Sequence, residues 1–118
     1  MLTLDLQSRG FALTEALATA IHREARRYAA AFPGLAPQLQ VRVFDINGQR
    51  GGLDKGCLIR AKAGRAVVVA SDLDSDLYRA ITAAFTRLAR ATRSQRGRDL
   101  SLRRHPPRNV RTQAGPQS

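Results

Sequence analysis

The sequence predicts an α+β two-layer sandwich of order β-α-β-β-β-α, with two helices on one face of a four-stranded mixed sheet. Three observations lead there. Apolar residues alternate at period two within three short stretches, residues 2–6, 39–46 and 57–62, and a Val-rich run covers 65–71. They recur at three- and four-residue spacings in two longer stretches, one between the first two strand patterns and one after the last. A helix between the first two strands makes them a parallel pair with a right-handed crossover, while the short later connections make the other pairs antiparallel. Both helices then cover one sheet face and leave the other to solvent, as in an α+β two-layer sandwich.

Leu2, Leu4 and Leu6 alternate with Thr3, Asp5 and Gln7 in a half-buried first strand, and Ser8-Arg9-Gly10 reads as a turn. Thr14 caps the first helix, with Glu15 at the favourable end of its dipole. Leu17, Ile21, Tyr28 and Phe32 form its buried stripe, Arg23, Arg26 and Arg27 point the other way, and Pro33-Gly34 stops it. Leu39, Val41 and Val43 then face inward from the second strand. In the third, Cys57, Ile59 and Ala61 face inward while Arg60 and Lys62 face out. Ala63-Gly64 turns the chain into a Val-rich fourth strand.

The second helix is expected over residues 73–98, with Asp72, Asp74, Ser75 and Asp76 available to cap it. Leu77, Ile81, Ala84, Phe85 and Leu88 share one face. At ~100° per residue, Arg79, Arg87, Arg90 and Arg93 fall in an arc of ~120° on the opposite face. They collect towards the expected C-terminal end, where the dipole favours cations. From Gly97 the periodicity ends. Residues 1–98 are therefore expected to be one domain and 99–118 a disordered basic tail, in which Pro106-Pro107 prevents a helix from continuing.

A formal charge of +11 on 118 residues points to a polyanionic partner, with nucleic acid or the ribosome first. No run is long and apolar enough to span a bilayer, and no amphipathic stretch pairs aromatic residues with a basic face as membrane-surface binders do. The N-terminus lacks a basic region followed by a hydrophobic one, so no signal peptide is expected. A lone cysteine, Cys57, excludes an intrachain disulfide and fits a reducing cytoplasm.

Little in the chain suggests catalysis. The loop 47–55 contains a G-x-x-G spacing at Gly48 and Gly51, but strands flank it where a KH loop joins helices. Its amides could form an anion nest, or the loop could be a plain hairpin connection. Asp54 and Lys55 could be a local ion pair or a loop anchor. Cys57 reads as a small core residue, and neither His22 nor His105 has a second ligand at metal spacing. No catalytic triad or dyad can be assembled, and neither a cofactor nor a small-molecule substrate is expected. Tyr28 and Tyr78 read as core-edge residues rather than base-stacking platforms.

Two segments carry a family resemblance. Leu13-Thr14-Glu15-Ala16-Leu17, and Asp76-Leu77-Tyr78 followed by Ala80-Ile81, Arg87-Leu88 and Arg90, resemble the ribosome hibernation-promoting factor family, which includes ribosome-associated inhibitor A. The match runs element by element over residues 2–96. Residues 51–57 depart from the family pattern, and Glu24 replaces a position that is often basic. The resemblance implies a fold similar to double-stranded RNA-binding domains and a short-form, non-enzymatic translation inhibitor, monomeric when free, that binds the small ribosomal subunit where mRNA and tRNA would sit. Arg23, Arg26 and Arg27 of the first helix and Arg79, Arg87, Arg90 and Arg93 of the second would grip rRNA phosphates. Such contacts position a protein rather than read sequence. The alternative reading is a general double-stranded RNA-binding module.

Overall fold

The computed structural model describes residues 2–46 and 54–104. The elements are β1 (Thr3–Arg9), α1 (Glu15–Ala31), β2 (Gln38–Asp45), β3 (Lys55–Ala63), β4 (Ala66–Asp74) and α2 (Leu77–Arg104). The sheet order is β1-β2-β3-β4. β1 runs parallel to β2, and the β2–β3 and β3–β4 pairs are antiparallel. The expected two-layer α+β architecture is the one observed.

Period two decides the sheet's faces. Leu39, Val41 and Val43 of β2 and Cys57, Ile59 and Ala61 of β3 are buried beneath the helices, while their neighbours Gln40, Arg42, Arg60 and Lys62 are exposed. Leu17, Ile21, Ala25, Tyr28 and Phe32 come down from α1, and Ala80, Ile81, Ala84, Phe85 and Leu88 from α2. The core is aliphatic, with two phenylalanines and one tyrosine among its buried residues. Fully burying a side chain such as Ile59 or Leu88 contributes about 1.5–3 kcal/mol.

The first helix follows its sequence signals. The Thr14 side chain accepts a hydrogen bond from the Leu17 amide at 3.1 Å, and the helix ends before Pro33. Three boundaries differ from expectation. β1 continues through the expected turn to Arg9, because parallel pairing with β2 holds it as far as Phe44. β4 runs past Ser71 to Asp74, because its ladder with β3 extends until Asp74 meets Lys55. Asp72 and Asp74 are therefore strand residues, and capping falls to Asp76, whose carboxylate accepts from the Tyr78 amide at 2.9 Å. Asp74 instead accepts from the Asp76 amide at 2.9 Å, which turns the chain out of the strand.

α2 passes the boundary expected at Arg98 and ends at Arg104. One glycine inside a helix costs only about 1 kcal/mol relative to alanine, so Gly97 does not stop it. The loop 47–53 and the expected tail from residue 105 onward lie outside the described residues.

Candidate nucleic-acid interface

The two helices lie side by side and run in the same direction. Glu24 of α1 shares a groove with Thr82 and Thr86 of α2, and further along Tyr28 meets Thr92. The Thr92 hydroxyl donates to the Leu88 carbonyl at 2.8 Å. Its single proton is thus spent, so the Tyr28 hydroxyl donates to Thr92 Oγ1, also at 2.8 Å. Burial raises the Tyr28 pKa, an effect opposed by the Thr92 hydrogen bond and by the charge of Arg96. The Tyr28 and Phe32 rings pack at 5.2 Å, tilted by 53°, and the Arg93 guanidinium sits 5.7 Å above Phe32. A buried aromatic seam therefore sets the spacing of the two helices.

Above that seam runs a solvent-open groove lined by Arg27, Tyr28, Phe85, Thr86, Arg90 and Arg93, with Glu24 at one end. Arg23 and Arg26 are exposed on α1 outside the groove, with Arg26 ~150° round the helix from the positions that line it. All seven arginines expected to bind phosphate are exposed, but their electrostatic situations differ. Among the described residues, Arg23, Arg26 and Arg90 have no ion-pair partner. Arg27 reaches Glu24 only at 4.0 Å, with its own side chain 73% exposed. Arg93 is held by a cation–π contact that leaves its charge available.

Arg79 and Arg87 are different. Arg87 Nη2 lies 3.4 Å from Asp72, and Arg79 Nε lies 3.4 Å from Asp74 and 4.0 Å from Asp76. The Asp76 amide, with Arg79 beside it, holds the Asp74 carboxyl below its usual range. The helical wheel separates Arg87 from Arg93, whereas Arg79, inside the same arc, is paired because the first turn of α2 sets it beside Asp74 and Asp76. Arg87 and Arg93 are the two edges of the ~120° basic arc, and one edge falls over β4 while the other falls over α1. The strand side supplies carboxylates; the α1 side supplies an aromatic ring and further arginines. Arg27, Arg90 and Arg93, none held by a strand carboxylate, therefore line the inter-helix groove, while Arg23 and Arg26 add free charge on the outer side of α1. Since α2 runs to Arg104, Arg87 and Arg90 stand in mid-helix, where the dipole acts weakly on them. Sequence reasoning missed Asp72 as an arginine partner. Its signal was strand alternation, which sets Asp72 two residues after buried Ala70 on the helix side.

The remaining candidates are structural or empty of partners. Cys57 is fully buried, and burial pushes its thiol up to about 12, far from the thiolate that nucleophilic or metal chemistry requires. Asp54 is buried and lies 3.5 Å from Lys55 Nζ, which also lies 3.7 Å from Asp45, so the expected ion pair anchors the start of β3. His22 is exposed on α1, and Tyr78 is half exposed. No three His, Cys, Asp or Glu side chains among the described residues are grouped to hold a metal. Nor is any helix among them long and apolar enough to cross a membrane. The arrangement suits phosphate binding.

Comparison with known proteins gives a consistent result. The crystal structure of the Thermus thermophilus Protein Y N-terminal domain superposes with a TM-score of 0.66 at 22% identity, covering 82% of this chain and 99% of that one. A ribosomal subunit interface protein from Coxiella burnetii superposes with the same TM-score at 15% identity, covering 81% and 99%. At these identities the likeness establishes the fold. No curated protein matches the chain. The model of the family described as Sigma 54 modulation protein / S30EA ribosomal protein matches residues 4–99, so the chain belongs to that family.

Proposed function

We propose that this protein is a non-enzymatic, ribosome-associated translation inhibitor of the hibernation type, binding small-subunit rRNA through the paired faces of α1 and α2. The observation that carries this reading is the groove between the helices, where Arg27, Arg90 and Arg93 converge, with Arg23 and Arg26 exposed further round α1. A concentrated field of that sign suits folded RNA, whose phosphates crowd at helix junctions. Family membership and the likeness to a ribosomal subunit interface protein support the same partner. Bound there, the domain blocks the mRNA and tRNA sites by occupying them. Arg79 and Arg87 contribute less than the other five, because binding phosphate requires them to loosen their carboxylate partners.

The reading is tested by co-sedimentation of the full chain with purified small subunits, with free duplex RNA as competitor. Small subunits are expected to retain the protein in the presence of excess duplex. Complete competition by duplex would instead support a general double-stranded RNA-binding module. A sucrose-gradient profile of stationary-phase lysate should place the protein in ribosomal fractions, as a stress-linked hibernation role requires.

A further inference from the structure

The sheet face turned away from the helices has a charge of its own. β2 and β3 form its centre, and there Arg42, Arg60 and Lys62 are exposed, with Arg9 at the end of β1. Asp5 is the acid on the same face of β1, and it forms no ion pair with any of these cations among the described residues. Register brings the groups together. Asp5 stands beside Gln40, Gln40 opposite Arg60, and Gln7 beside Arg42. Arg60 and Lys62 are two residues apart on one strand, so their Cα atoms stand ~7 Å apart and both side chains leave the same face.

At the middle of this face is a shallow cleft. Leu58, half-buried, forms its apolar floor, and Asp5, Gln7, Gln40, Arg42 and Arg60 stand around it. Arg42 Nη2 donates to Gln7 Oε1 at 3.3 Å, a long bond that orients the guanidinium across the β1–β2 boundary without neutralising it. The chemistry is mixed in a specific way: an apolar floor, two amides that both donate and accept, one carboxylate acceptor, and cations at the margin. A nucleobase offers a matching set of flat apolar faces and polar edges, and its phosphates carry the complementary charge. Beyond the cleft, the Phe44 ring lies over Gly56, where any β-carbon would collide with it, and Leu73 packs alongside. This extends an apolar strip beneath any strand crossing the face.

We infer that the open sheet face is a second RNA-binding surface, taking a single-stranded segment with an unpaired base over Leu58 and its phosphates on Arg42, Arg60 and Lys62. The helix-face site needs none of these residues, so the two surfaces lie on opposite sides of the sheet and can be occupied together. Single-stranded RNA fits better than a duplex because the amides and carboxylate have polar edges to meet only where bases are unpaired. It also fits better than an acidic protein, whose carboxylates would use the cations and leave the apolar floor and Asp5 without a partner.

The test uses the full chain and fluorescence anisotropy with a short labelled oligouridylate, measured across a salt series. Arg42→Gln with Arg60→Gln is expected to weaken binding about tenfold at low salt and to flatten the log–log salt slope by about 1.4 units, two phosphate contacts at ~0.7 each. A helix-face variant, Arg26→Glu with Arg90→Glu, is expected to bind the oligouridylate within about twofold of wild type while losing small-subunit binding. Circular dichroism melts on each variant confirm the fold, and Arg42→Lys with Arg60→Lys keeps the charge and should recover most of the salt slope. An unchanged slope in the Gln variant overturns the inference. So does loss of oligouridylate binding in the helix-face variant alone, which would put single strands on the helices. Preference of the sheet face for polyglutamate over oligouridylate overturns it in favour of a protein partner. Because small-subunit binding is read separately, failure here leaves the helix-face reading standing.

Discussion

Replacing Asp72 with Asn removes the carboxylate that holds Arg87 while keeping the shape of the side chain. At 3.4 Å the pair attracts by about 1.2 kcal/mol in a water-like dielectric. The Arg87 side chain is 64% exposed and that of Asp72 21%, so screening and side-chain entropy reduce the net value to about 0.2–1 kcal/mol. That is the penalty Arg87 meets when it turns from Asp72 to a phosphate, and Asp72→Asn lifts it. Affinity for small subunits should rise by about 1.4- to 5-fold at low salt, and the salt slope should steepen by up to ~0.9 as Arg87 engages fully. The assay is small-subunit binding by anisotropy of a labelled protein across a salt series, with wild type, Asp72→Asn, Arg87→Gln and the double variant. In the Arg87→Gln background the gain should vanish, since no guanidinium remains to be released. If Asp72→Asn gains as much there as in wild type, the effect is the long-range field of one fewer acid, and the pairing argument is wrong. An unchanged or lower affinity would mean Arg87 does not face the ribosome.

Other outcomes follow from the same structure. Arg87→Glu, Arg90→Glu and Arg93→Glu together should abolish small-subunit co-sedimentation while costing about 0.7–2 kcal/mol of stability, the loss of the Arg93–Phe32 contact and the Arg87–Asp72 pair. Leu88→Asp should instead unfold the domain, because Leu88 is fully buried and an unpaired carboxylate there costs several kcal/mol, visible as lost circular dichroism. Cys57 has its pKa raised from 9.0 to about 12 in the fold, so its contribution is complete below pH 9 and is lost as pH rises towards 12. Urea melts should show stability falling by about 1.4 kcal/mol per pH unit in that window from this group, and Cys57→Ala should remove that part of the slope. An identical alkaline slope in both proteins would mean the thiol ionises freely. Deleting residues 105–118 removes Arg108 and Arg111 and should flatten the salt slope of ribosome binding by about 1.4–1.8 units with little change in melting temperature. A large fall in melting temperature would show that the segment packs on the domain.

The sequence by itself determined the element order, the faces of the strands and the stripes of the helices. Each follows from a local period that burial must respect: Leu39, Val41 and Val43 at period two, and Ile81, Phe85 and Leu88 at helical spacing, have no other way to leave water together. The Thr14 cap was equally legible, because it is satisfied within one turn. Local signals failed where a partner distant in sequence competed. Asp72 and Asp74 carry the composition of a helix cap, yet pairing with β3 drew them into β4 and left capping to Asp76. Gly97 carries the signal of a helix end, but its cost is small beside the helix that continues through it to Arg104. The candidate site divides in the same way. That seven arginines are exposed could be read from periodicity. Which of them are free could not, because Asp72 and Arg87, or Phe32 and Arg93, are far apart in the chain and become neighbours only when β4 and α1 close on opposite flanks of α2. The outward cations of β2 and β3 were visible one strand at a time. Their union into a surface with Gln7, Gln40 and a cleft over Leu58 depends on strand order and register, which long-range hydrogen bonding alone decides.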